Sequence, residues 1–195
     1  MINYDLGIVW SIGSWEQNKR FTFTSNSEYH IQRMQILFKN AIYSQQGNTG
    51  IQYRLRTSQL DIRDMLNIGY TKRNSSERDL PILEDYKDFL RAYMELHATF
   101  SWQTTYKTKS QEKYYRLRMR IFGNQVLLDS INRVFIEKEL CQRKSFQKVT
   151  KNSGYLQFTA VKEIDNIIMW LQGSPSCIEY WDNAVKLVID PVKIE

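Results

Sequence analysis

Cysteine, proline and glycine are scarce in this chain. Of 195 residues, 2 are Cys, 3 are Pro and 8 are Gly. Cys141 and Cys177 are too few for a disulfide framework, and neither lies in a CxxC pair. A reducing, intracellular setting is therefore expected. So little Pro and Gly argues against long disordered linkers. No run approaches the roughly 18 consecutive apolar residues of a membrane span, so no membrane partner is expected. The opening Met1-Ile2-Asn3-Tyr4-Asp5 lacks the basic segment of a secretion signal.

Apolar side chains are plentiful. The chain is 42% hydrophobic and 13% aromatic, enough for one real core or two small cores packed together. Lys and Arg number 27 against 21 Asp and Glu, a net charge of +6. Such a surplus points to a polyanionic partner, because cationic side chains gain by releasing counterions from phosphates.

The pattern of residues repeats once. Each copy reads as a buried helix, a hairpin, an amphipathic helix, a second hairpin and a further helix. In the first copy, Leu6-Gly7-Ile8-Val9-Trp10-Ser11-Ile12-Gly13 is apolar nearly all round, with Asp5 as its expected cap. Arg20 to Thr24 alternates with period two, as a strand does. Ser27 is read as the cap of a helix carrying Ile31, Met34, Leu37 and Phe38. A turn over 45–50 leads to an alternating strand over 51–56. Ser58 is expected to start a short helix with Ile62, Met65 and Leu66 on one face, ended by Gly69.

The second copy opens with a helix over 89–98. A longer hairpin is expected over 103–109 and 113–122. Val126, Leu127, Ile131, Val134 and Phe135 line the next helix, and a strand pair turns at Asn152-Ser153-Gly154. Ile164, Ile167, Ile168 and Leu171 mark the last repeated helix. Gly7 corresponds to Ala92, Gly13 to Ala98 and Trp15 to Phe100. At a second, larger offset, Tyr53, Thr57, Ile62 and Met65 correspond to Tyr155, Thr159, Ile164 and Ile167. The second copy has therefore gained residues in its hairpins. This reading divides the chain into a first half (1–71), a linker (72–82), a second half (83–172) and a C-terminal helix and tail (173–195).

On these residues the chain resembles the double-motif LAGLIDADG homing endonucleases. The resemblance covers nearly the whole length. Its most specific stretch is 58–101, where Leu66-Asn67-Ile68-Gly69, a basic polar segment and Leu80-Pro81 lead into Phe89-Leu90-Arg91-Ala92-Tyr93. It implies an α+β fold of two pseudo-symmetric αββαββα halves, packed through central helices, with antiparallel sheets forming a DNA-binding saddle. Small residues at Gly7, Gly13, Ala92 and Ala98 suit close approach of those helices.

The resemblance also implies a carboxylate at the foot of each central helix, holding divalent metal at the scissile phosphates. Here the chain departs from the family. Those positions carry Ile12 and His97, and neither suits a hard cation that wants oxygen. Glu95 occupies the first acid position of the second motif, which does not face the shared metal site, and Glu16 is expected on a strand. No catalytic residue, no metal and no cofactor is therefore expected. His97 is read as a hydrogen-bonded core or interface histidine, and His30 as a surface residue. Trp170 and Trp181 are read as core.

Duplex DNA binding can survive that loss, because contacts come from the sheets. The residues expected to make them are Arg20, Thr22, Thr24, Arg54, Arg56, Lys107, Lys109, Arg116, Arg118, Arg120 and Lys148. Arginine can bridge guanine O6 and N7, or a phosphate, with two hydrogen bonds. The resemblance thus implies an intracellular, DNA-associated monomer acting as a pseudo-dimer, in a bacterial or phage cytoplasm or an organelle. Two other readings stay open: an active endonuclease using Mg²⁺, and a maturase binding intron RNA.

Overall fold

A computed structural model of the chain describes residues 1–16, 19–46, 50–73, 75–106 and 113–189. Its elements follow the order α1 (Asn3–Ile12), β1 (Gly13–Glu16), β2 (Arg20–Ser25), α2 (Glu28–Leu37), β3 (Ile42–Gln46), β4 (Gln52–Thr57) and α3 (Ile62–Asn67). The second half repeats it with α4 (Lys87–His97), β5 (Ala98–Tyr106), β6 (Lys113–Gly123), α5 (Gln125–Glu137), β7 (Gln147–Lys148), β8 (Gly154–Phe158) and α6 (Val161–Leu171). A last helix, α7 (Ile178–Ile189), has no counterpart in the first half.

Both halves build a four-stranded antiparallel sheet of the same topology, β1-β2-β4-β3 and β5-β6-β8-β7. The fold is α+β, with two pseudo-symmetric αββαββα halves. Both central helices end at matching positions. α1 stops at Ile12 and β1 begins at Gly13; α4 stops at His97 and β5 begins at Ala98. The extra residues of the second copy lengthen β5 and β6 to 9 and 11 residues, against 4 and 6 in β1 and β2.

The two central helices form the seam. Tyr4 to Ile12 are buried without a break, and so are Phe89 to Glu95. A helix buried on every side needs no amphipathic stripe. A Cβ added to Gly7 would stand 2.5 Å from the Phe89 carbonyl oxygen and 2.8 Å from the Ala92 Cβ. Glycine at position 7 is what lets the backbones approach. Gly13 and Ala98 belong to the strands; a Cβ on Gly13 would press on the Val9 carbonyl and on Phe23.

Around this seam, alternate strand residues turn inward. Phe21, Phe23 and Leu55 in one sheet, and Leu117, Met119, Ile121, Leu156 and Phe158 in the other, are fully buried. α2 covers β2 and β4, α5 covers β6 and β8, and α7 packs on α6 and β5.

Several local expectations need correction. Asp5 does not cap α1, which starts at Asn3; it lies in the first turn, paired with Arg33 Nε at 2.5 Å. The cap of α3 is Asp61, whose carboxylate accepts from the Arg63 N–H at 2.8 Å, and not Ser58. Asp61 immediately precedes the first helical residue, Ile62, whereas Ser58 stands too far upstream to reach the helix's free N–H groups. Ser27 stands at the start of α2, but its hydroxyl contacts His30 Nδ1 at 2.6 Å and leaves the backbone uncapped. On α5, Val126 is exposed and Leu128 takes its place in the core.

Candidate nucleic-acid interface

Strand parity decides which side chains share a face. Across β2–β4, Thr22 pairs with Arg56 and Thr24 with Arg54; across β1–β2, Glu16 pairs with Arg20. Directly opposed residues point the same way. Arg20, Thr22, Thr24, Arg54 and Arg56 therefore share the face opposite Phe21, Phe23 and Leu55. In the second sheet, Thr99 pairs with Arg120, Ser101 with Arg118, and Gln103 with Arg116. Arg116, Arg118 and Arg120 lie opposite buried Leu117, Met119 and Ile121.

These arginines are held by neutral partners. Arg118 donates to Gln103 Oε1 at 3.0 Å and to Ser101 Oγ at 3.2 Å. Arg120 donates to Gln157 Oε1 at 2.8 Å and lies 4.3 Å over the Tyr155 ring. Among the described residues, none of Arg54, Arg56, Arg116, Arg118 and Arg120 pairs with a carboxylate. The buried Nε atoms of Arg54 and Arg56 also have no partner among them. Unneutralised arginines in a row make a positive field over both outer faces.

Two expected contacts sit differently. Thr22 is buried, and its hydroxyl donates to Glu16 Oε1 at 2.5 Å. Lys148 pairs with Gly154, one residue out of step with Gln147 and Tyr155, so its parity is opposite to that of the arginines. It lines a separate cavity with Lys151 and Asp129. Lys107 and Lys109 lie outside the described residues. Conversely, Ser101, Gln103 and Gln157 join the arginine face, a placement that only the register reveals.

At the helix feet, Ile12 is buried and His97 half-buried. His97 Nε2 donates to the Ser11 carbonyl at 3.3 Å, and its ring stacks on Tyr93 at 4.5 Å. Burial is the main cause that pushes its pKa down to about 4, with the charges of Arg73 and Arg78 adding to it. His97 is thus neutral at pH 7. An unfolded histidine takes a proton near 6.5, while the folded one resists until about 4. Stability from this group is therefore present above about 6.5 and is lost as pH falls toward 4. Melting temperatures of wild type and His97→Gln are expected to diverge across that window, with wild type losing more on acidification.

The donor set does not fit Mg²⁺. Ile12 offers no lone pair and His97 offers nitrogen where the ion wants oxygen. Glu16 is engaged by Thr22. Glu95 is buried elsewhere, its two oxygens taken by four donors: Tyr4 OH, His30 Nε2 at 2.8 Å, the Cys177 N–H at 3.0 Å and Trp181 Nε1 at 2.6 Å. Among the described residues, no three His, Cys, Asp or Glu side chains gather into a metal-binding group. This cluster also corrects the reading of His30. It is 1% exposed and bridges Ser27 to Glu95.

No family model and no curated protein matches the sequence. Solved structures do match. The fold is that of the LAGLIDADG homing endonucleases. One match is the LAGLIDADG homing endonuclease I-SmaMI bound to cleaved DNA, with TM-score 0.64 and 11% identity, covering 96% of this chain and 89% of that one. Another is the LAGLIDADG meganuclease I-CpaMI bound to uncleaved DNA, with TM-score 0.62 and 12% identity, covering 96% and 91%. I-SmaMI bound to an uncleaved target with calcium ions matches at TM-score 0.62 and 9% identity, covering 96% and 92%. No helix among the described residues is long and apolar enough to cross a membrane.

Proposed function

We propose that this chain binds double-stranded DNA across the outer faces of its two sheets and leaves both strands intact. The observation that carries the reading is the parity of Arg54, Arg56, Arg116, Arg118 and Arg120: all five point away from the core, and none meets a carboxylate among the described residues. Arg20 and Thr24 share that face. Similarly folded endonucleases are bound to DNA, which supports a DNA partner here. One chain supplies both halves, so a single copy suffices as a pseudo-dimer. Strand cleavage has no support from the helix feet, where Ile12 and His97 replace the carboxylates that a two-metal hydrolysis requires.

Duplex DNA titrations at several salt concentrations test this. Each phosphate contact adds about one unit to the slope of log K against log salt. Changing Arg116, Arg118 and Arg120 together to Gln is expected to flatten the slope by up to about three units and to weaken binding at low salt. An unchanged slope and affinity would remove the sheet face from the account.

A further inference from the structure

We propose that the cavity at the feet of α1 and α4 is a phosphodiester-binding site held by arginine in place of metal, with Arg73 and Arg78 as its cationic groups. The proposal deepens the DNA-binding reading and rests on it for what delivers the phosphate to the cavity.

The cavity has a volume of about 390 Å³ and opens beside His97, Ser11 and Trp10. No carboxylate lines it among the described residues, whereas two other cavities contain Asp129 and Asp61. Arg78 is buried in its wall. It donates to the Thr71 carbonyl at 2.5 Å and to the Trp10 carbonyl, and stands 5.0 Å over each of the Trp10 and Tyr70 rings. Those carbonyls and rings fix the guanidinium without neutralising it, and an arginine stays charged even when buried. Arg73 is exposed and also lines the cavity.

A second observation points to a ligand. The Ser11 hydroxyl, on a residue 2% exposed that lines this cavity, has no hydrogen-bond partner among the described residues. A buried hydroxyl without a partner costs free energy that an incoming acceptor oxygen would recover. Two cations and a free donor, with no acid among them, select an anion.

The cavity is also continuous with the arginine face. Arg120 lies over Tyr155, Tyr155 packs edge-on against Phe122 at 5.8 Å, and Phe122 lines the cavity. A strand laid on the second sheet thus reaches the helix feet. A guanidinium there can hold a phosphate by two hydrogen bonds but supplies no metal-activated water, which matches an intact strand.

The test uses the purified full chain, EDTA throughout, and the dinucleotide pTpT as probe. His97, in the cavity wall, is the reporter, through the NMR signals of its imidazole protons. Those signals are expected to shift saturably as pTpT is added, and Arg73→Gln is expected to weaken that titration about tenfold or more. Arg73 is exposed, so the variant keeps the fold. No saturable shift in wild type, an Arg73→Gln titration equal to wild type, or binding that requires added Mg²⁺ would overturn the site. Duplex binding is measured in parallel by anisotropy. Duplex binding without a His97 response removes the cavity site and keeps the DNA reading. A His97 response without duplex binding keeps the site and removes the DNA reading.

Discussion

Glu95→Ala is expected to destabilise the protein by about 3–5 kcal/mol, the cost of breaking a buried charged cluster by removing one partner. Four donors converge on this carboxylate from three parts of the chain: Tyr4 on α1, His30 on α2, and the backbone of Cys177 and the indole of Trp181 at the start of α7. Alanine leaves Tyr4, His30 and Trp181 buried without that acceptor and the half-buried Cys177 N–H unpaired. The first half and the C-terminal helix would each lose hydrogen bonds to α4. For a chain of this size each kcal/mol lowers the melting temperature by about 2–4 °C, so a drop of about 6–20 °C is expected in calorimetry. Glu95→Gln keeps the shape and two of the acceptor lone pairs, and should lose less. A melting temperature for Glu95→Ala close to wild type would show that the cluster contributes little.

Gly7→Val is expected to cost at least about 3 kcal/mol, beyond the usual range for overpacking a core. The obstacle is backbone. A Cβ at position 7 would lie 2.5 Å from the Phe89 carbonyl oxygen, which can retreat only if α4 moves. Gly7→Ala alone should cost about 1–3 kcal/mol. Combining it with Ala92→Gly should recover part of that loss, because the Ala92 Cβ is the other near atom at 2.8 Å, while the Phe89 contact remains. Denaturant unfolding of the four proteins in that double-mutant cycle gives the coupling directly. Purely additive effects would mean that the two helices do not meet at this pair.

The paired-half architecture was legible in the sequence because both of its signals are periodic. Arg116, Arg118 and Arg120 alternate with Leu117, Met119 and Ile121, which marks a two-faced strand without any partner. The all-apolar run around Gly7 marks a buried helix equally well. The contacts that sequence reading missed are those between distant segments. His30 has no local partner beyond Ser27; Glu95 lies 65 residues away, and only the packing of α2 and α4 on α1 brings them together. Lys148 looked like a basic strand residue, but its face depends on pairing with Gly154 in a two-residue strand. Thr22 had the right parity and still lost its availability to Glu16. Arg78 read as one charge in a polar linker, whereas the fold buries it against Trp10 and Tyr70.

The most direct measurement retains a pool of randomised duplex DNA on the purified chain, once in EDTA and once in Mg²⁺, and runs the recovered strands on a denaturing gel. Arginine-lined sheets without metal ligands predict equal retention in both buffers, steep loss of retention with salt, and strands of full length. Shortened strands appearing only with Mg²⁺, or no retention of duplex in either buffer, would contradict that account.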